Sequence, residues 1–164
     1  MEESAPPRWH SREDSGLVLD RELRWFHDGQ PIVHPRIVEL FNESLVPTED
    51  GRFQLRVGQD WAYVTVEDAA YRVTGLDATE TRVFLRLSDR TGEALDPSTL
   101  ALEPDGVLSA RVKSGRAKAR FSRQAQVALG ALLEESADGL ALGLAGGPLR
   151  VPLPKAVLHE PPPE

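Results

Sequence analysis

Cysteine is absent from the 164 residues, so the chain can hold neither a disulfide framework nor a thiolate metal site. The four histidines, His10, His27, His34 and His159, therefore have no Cys partners, and none is paired with another at i, i+4. No metal site and no cofactor is expected. Long apolar runs are missing too: nothing approaches the roughly 18–20 residues needed to cross a bilayer, and no membrane span is expected. Met1 to Ser15 lack the basic start, apolar run and cleavage site of a secretory signal, so the expected location is cytoplasmic. Positive charge is scarce on average, the net charge being -7, which argues against wholesale binding of nucleic acid or an anionic membrane.

Catalytic patterns are equally scarce. The serines sit in no nucleophile elbow, and Gly143, Gly146 and Gly147 suit a hairpin rather than a phosphate loop because no helix follows them. Glu67 and Asp68 are adjacent, which on a strand sends the two carboxylates to opposite faces, a poor geometry for paired acid–base work. The chain is expected to act by binding a protein partner first, as a sensor of a small anion or nucleic acid second, and as an uncharacterised enzyme third.

What the chain does contain is a repeat. Trp25 to Val66 and Val112 to Leu153 each read as a hairpin, an amphipathic helix and a second hairpin. Phe53, Leu55, Val57, Val64 and Val66 correspond to Leu140, Leu142, Leu144, Val151 and Leu153. Asp50-Gly51 and Asp138-Gly139 precede these strands, glycine tolerating the positive φ needed to leave a helix. Pro35 to Leu45 places Ile37, Phe41 and Leu45 on one face, with Val38 and Leu40 beside them, and Ala125, Leu129 and Leu133 repeat that spacing. Both stripes are expected to pack in a core. Pro35 suits the first helical position, His34 the entrance to that helix, and Ser122 the cap of the other. Asp28-Gly29 and Ser114-Gly115 are hairpin turn signals.

Between the halves, Tyr71 to Thr74 and Arg82 to Leu87 read as strands, with Val83, Leu85 and Leu87 on a covered face; Glu103 to Gly106 reads as a loop. The fold class is α+β: two copies of a hairpin-helix-hairpin unit with predominantly antiparallel sheets. The expected organisation is an N-terminal tail over residues 1–15, one globular unit over 16–158 built of repeats at 17–75 and 80–158, and a Pro-rich tail over 159–164. Trp9 is a candidate anchor for the first tail.

One stretch departs from the acidic average. Ala110 to Arg123 carries Arg111, Lys113, Arg116, Lys118, Arg120 and Arg123 and no acid. With Ser114-Gly115 as the turn, Lys113 faces Arg116 and Arg111 faces Lys118, while Arg120 continues the same side and Val112, Ala117, Ala119 and Phe121 take the other. Like charges directly opposite each other cost a few tenths to about 1 kcal/mol per pair, so something must offset them. Two readings remain open. Either the face is solvated or neutralised by Glu43, Glu49, Glu67 or Asp68 of the other half, or it binds an anion. An acidic segment of a protein partner comes first, a small anion second, and nucleic acid last, because only Trp25 and His27 supply rings nearby. Trp25 itself is either core or, with His27 and the basic hairpin, part of a groove between the repeats.

The first half also resembles a known family. Leu23-Arg24-Trp25-Phe26-His27-Asp28-Gly29-Gln30-Pro31-Ile32, Val38-Glu39-Leu40-Phe41, Asp50-Gly51-Arg52-Phe53-Gln54-Leu55 and Val64-Thr65-Val66-Glu67-Asp68-Ala69 are similar, in order, to the bacterial family called domain of unknown function 1285. The resemblance implies a mixed α+β fold with repeated motifs, a second half loosely like a pleckstrin-homology module, and a binding role in signalling or regulation. The motif positions Trp25, Asp28, Gly29, Pro31, Ile32, Glu67 and Asp68 carry it most directly. The chain departs from the family at Val57-Gly58-Gln59-Asp60, where Thr-Pro-x-Glu is usual, and at Asp68-Ala69-Ala70-Tyr71, where the family has Asp-Ala-Pro-Phe.

Overall fold

The computed structural model describes residues 12–158. Trp9, His10 and His159, with most of both expected tails, lie outside the described residues. The chain divides into two compact units, Met1–Ala70 and Tyr71–Glu164. The boundary falls before the strand at Tyr71 rather than between residues 75 and 80, because that strand is hydrogen-bonded on both sides to strands of the second unit.

In the first unit the strands are β1 (Leu17–Leu19), β2 (Trp25–His27), β3 (Gln30–Pro31), β4 (Leu45–Pro47), β5 (Phe53–Val57) and β6 (Asp60–Val66), with helix α1 (Pro35–Ser44) between β3 and β4. They form one sheet in the order β3-β2-β1-β6-β5-β4. Every pairing is antiparallel except β1 with β6, where Val18 lies opposite Thr65 and Leu19 opposite Val66. Alternation decides the faces: Leu55, Ala62 and Val64 are buried, as are Leu17, Leu19, Trp25 and Leu45. Burying each of the large side chains in that set contributes about 1.5–3 kcal/mol. Asp28 and Gly29 have φ of 50° and 81°, the left-handed pair that a two-residue hairpin turn requires.

Helix α1 departs from expectation. Pro35 occupies its first turn and His34 caps it, Nδ1 accepting from the Arg36 N–H, yet none of its residues is buried. Ile37 and Leu40, expected in the core, are 41% and 43% exposed. The helix faces its sheet through Phe41 and Asn42, both in contact with Trp25, so the Ile37 side of the stripe is turned outward. Leu45 belongs to β4, since Pro47 biases Val46 to an extended backbone and stops the helix at Ser44. Asp50-Gly51 consequently turns β4 into β5 and does not terminate the helix. Arg12 to Ser15, expected in a tail, are instead tied to this sheet: the Tyr63 N–H donates to the Arg12 carbonyl, and the buried Ser15 hydroxyl donates to the Tyr63 carbonyl at 2.6 Å.

The second unit contains β7 (Tyr71–Ala78), β8 (Val83–Leu87), β9 (Gly92–Ala94), β10 (Ala101–Leu102), β11 (Leu108–Val112) and β12 (Ala117–Phe121), in the sheet order β10-β11-β12-β7-β8-β9. Only β7 and β12 pair in parallel. Counting strands within each unit, both sheets have the order 3-2-1-6-5-4 with one central parallel pair, read from opposite ends. Where the first carries α1 after its third strand, the second has a 3-10 turn, Pro97–Thr99, capped by Asp96.

Helix α2 (Arg123–Gly130) follows β12, its Ser122 cap accepting from the Ala125 N–H, and buries Ala125 and Leu129. Beyond it β13 (Leu133–Ser136), β14 (Gly139–Leu144) and β15 (Gly147–Val151) form a separate antiparallel sheet. The hairpin-helix-hairpin order is thus present in both halves, β5 and β14 each being the middle strand after a helix. The difference lies in where the last strand goes: β6 joins a six-stranded sheet through β1, whereas β15 ends its own.

Candidate functional site

The β11–β12 hairpin keeps the expected register, Arg111 opposite Lys118 and Val112 opposite Ala117. Val112, Ala117, Ala119 and Phe121 are buried on one face. At the turn, Lys113, Ser114 and Gly115 have φ of 56°, 58° and 81°, so the chain reverses through three left-handed residues. Two of these are not glycine, a conformation that needs support from neighbours. The support is Glu93, whose two carboxylate oxygens accept from the Lys113 N–H at 3.1 and 3.2 Å.

The bases sort into two sets. Lys113 Nζ lies 2.6 Å from Asp89 Oδ2 and 2.9 Å from Thr91 Oγ1, and 5.0 Å from the centre of the Tyr71 ring. Lys118 Nζ is 3.2 Å from Glu103 Oε1, and Arg120 donates to Asp105 Oδ2 at 2.6 Å. Burial, reinforced by the charges of Asp89 and Glu93, pushes the Tyr71 phenol far above its ordinary range, and the Arg120 hydrogen bond holds Asp105 below the usual carboxylate value. These acids, Asp89, Glu93, Glu103 and Asp105, come from the same unit as the hairpin. Arg111 and Arg116 form the other set. Arg111 donates to the Gly115 carbonyl at 3.3 Å, and among the described residues neither guanidinium has an acidic partner. The hairpin therefore runs from a neutralised base, where Ser109 and Arg120 are buried opposite each other, to an exposed cationic tip.

Trp25 belongs to the core. It is 1% exposed, its indole N–H donates to Asn42 Oδ1 at 2.8 Å, and Phe41 meets it edge-on at 5.2 Å. Its ring is not presented to a ligand. His27, two residues further along β2, has Nε2 3.7 Å from Asp28 Oδ2. Gly29 completes the turn, Pro31 pairs with Phe26, and the Ile32 N–H donates to the Trp25 carbonyl, so these motif positions shape the hairpin. Glu67 and Asp68 lie in a bend after β6, where the Glu67 N–H bonds the Leu19 carbonyl.

A cavity of about 470 Å³ lies on the first unit, lined by Val18, Asp20, Arg21, Glu22, Arg24, Phe26, Gly29 and Glu67. Four of its residues, Arg24, Phe26, Gly29 and Glu67, come from the two sequence stretches Leu23 to Ile32 and Val64 to Ala69, which the parallel pairing of β1 with β6 brings together. Asp20 organises the loop: Oδ1 accepts from the N–H groups of Glu22 and Arg24 at 3.0 and 2.8 Å, and Oδ2 from Arg24 Nε at 2.9 Å. Burial alone would raise the Asp20 pKa, but the Arg24 N–H and guanidinium outweigh it and hold the carboxyl below its ordinary value. Asp20, Arg21 and Glu22 were not singled out from sequence; an Asp followed by four loop residues is a weak turn signal by itself.

The fold is shared with a DUF1285 family protein from Silicibacter pomeroyi DSS-3, with a TM-score of 0.64 and 21% identity over 91% of this chain and 89% of that one. A DUF1285 family protein from Shewanella baltica OS155 aligns with 66% of this chain and 84% of its own, at a TM-score of 0.49 and 17% identity. No family model and no curated protein matches the sequence. The chain has a DUF1285-like fold, α+β with a repeated, antiparallel-rich sheet.

Proposed function

We propose that this chain is a non-enzymatic binding module of bacterial signalling or regulation, holding an acidic segment of a protein partner at the tip of the β11–β12 hairpin. The observation that carries the reading is the residual charge: Arg111 and Arg116 keep no acidic partner among the described residues, while Lys113, Lys118 and Arg120 are neutralised within the unit. Guanidinium groups donate to carboxylates through a bidentate fork, and here one stands near the end of β11 and the other in the turn that Glu93 anchors. Exposed ion pairs contribute only about 0.2–1 kcal/mol each. The tip alone thus supplies a weak, salt-sensitive contact that selects a partner by charge.

The test is fluorescence anisotropy of a labelled oligoglutamate peptide titrated with the full chain at low and high salt. The reading expects saturable binding that weakens with salt and disappears in Arg111→Glu/Arg116→Glu. Binding unchanged by that double reversal would remove it. Competition by inorganic phosphate as strong as by peptide would transfer the site to a small anion.

A further inference from the structure

The cavity beside the β1–β2 loop has a charge arrangement that the hairpin lacks. Arg24 is committed within the loop, to Asp20 at 2.9 Å and to Glu22 at 3.0 Å. That leaves two lining groups of opposite sign. Glu67 Oε1 accepts from the Arg21 N–H at 3.2 Å, so the Glu67 carboxylate sits at the root of the Arg21 side chain. Among the described residues, however, the Arg21 guanidinium has no partner, and Glu67 Oε2 has none. A carboxylate and a guanidinium thus both line the cavity without forming an ion pair with each other. Val18 and Phe26, neighbours across the β1–β2 ladder, supply apolar lining below them.

The loop is built to hold this shape. Leu23 has φ of 66°, a left-handed conformation that is sterically disfavoured for a non-glycine residue. Three hydrogen bonds to the buried Asp20 carboxylate fix the turn around it. Local strain over-determined by surrounding bonds is a feature of sites that must keep a set geometry.

From this juxtaposition we infer that the cavity binds a free α-amino acid with an apolar side chain. Its carboxylate pairs with Arg21, its ammonium with Glu67, and its side chain lies over Val18 and Phe26. A simple anion would meet the Glu67 charge, and a simple amine would meet Arg21; a zwitterion satisfies both. The volume is within the range of small-molecule pockets, about 300–1,000 Å³. This site is independent of the hairpin tip.

Isothermal titration of the full chain with leucine, its deaminated acid and its decarboxylated amine tests the assignment. Leucine is expected to bind, and each single-charge analogue to bind about tenfold or more weakly, the loss of one charged hydrogen-bonding partner. Arg21→Gln and Glu67→Gln are each expected to weaken leucine by a similar factor. In Glu67→Gln the side-chain amide oxygen can still accept from the Arg21 N–H, and circular dichroism checks that both variants keep the fold. Absence of saturable binding by leucine, phenylalanine and glycine at millimolar concentration would overturn the inference. So would equal affinity for the deaminated acid, which would make the cavity an anion site, or an unchanged affinity in both variants.

Discussion

Replacing Asp20 with alanine removes three hydrogen bonds and one ion pair from a single loop. In the intact protein the carboxylate is 12% exposed as a side chain and holds the Glu22 and Arg24 N–H groups as well as the Arg24 guanidinium. A hydrogen bond to a charged acceptor contributes about 1.5–3 kcal/mol when its loss strands a buried group. Here the freed donors lie near the surface and regain water, so each backbone bond is assigned about 1 kcal/mol. The ion pair adds no more than about 1 kcal/mol, because the Arg24 side chain is 67% exposed. The expected loss is about 2–3 kcal/mol at neutral pH. The folded pKa of Asp20 is lowered, so its contribution is present above the unfolded value of about 3.9 and is lost as pH falls through the folded value. The gap between wild type and Asp20→Ala should therefore stay constant from neutrality down to mildly acid solution and shrink below about pH 4. Urea unfolding followed by circular dichroism across that range measures it. A deficit under about 0.5 kcal/mol at neutral pH, the level of an ordinary surface change, would refute the reasoning, as would a deficit that persists undiminished in strong acid.

Lys113→Met should cost about 2–4 kcal/mol, since it leaves the Asp89 carboxylate, 7% exposed, without its cation. Adding Asp89→Asn should recover part of that loss, a coupling that a double-mutant cycle in urea would detect and strict additivity would exclude. Gly146→Ala would set a Cβ 2.6 Å from the Glu80 carbonyl oxygen, and backbone cannot yield cheaply. It should lower stability by about 1–3 kcal/mol, read from the urea midpoint. Gly143→Ala brings its Cβ against the Glu134 side chain rather than backbone, so its melting temperature should fall less than that of Gly146→Ala.

Much of the second-unit hairpin was legible because its signals are local. Alternation at Val112, Ala117, Ala119 and Phe121 defines a buried face, and Ser114-Gly115 sets the register, so Arg111 opposite Lys118 followed directly. Which acids answer those charges was not legible. Asp89, Glu93, Glu103 and Asp105 reach the hairpin only through the folded sheet, and no local pattern in the sequence marks them as its partners. The α1 stripe failed for a related reason: periodicity predicts that a helix has an apolar face, but whether that face is covered depends on what packs there, and Phe41 is the member of the stripe that reaches Trp25.

Residue order alone determined the two helices with their proline, His34 and Ser122 starts, the positive-φ turns, the alternating strands and the resemblance carried by Trp25 to Ile32 and Val64 to Ala69. These depend on backbone sterics and on contacts a few residues apart. Tertiary structure decided the parallel pairings of β1 with β6 and of β7 with β12, and through them the shared order of the two sheets. It also brought Glu67 to the root of Arg21 across 46 residues of chain. Short strands such as Leu17–Leu19 carry too little pattern to name their partner. Their place is chosen by which arrangement buries the most apolar surface while leaving every backbone N–H and carbonyl a partner, and that is a property of the folded chain as a whole.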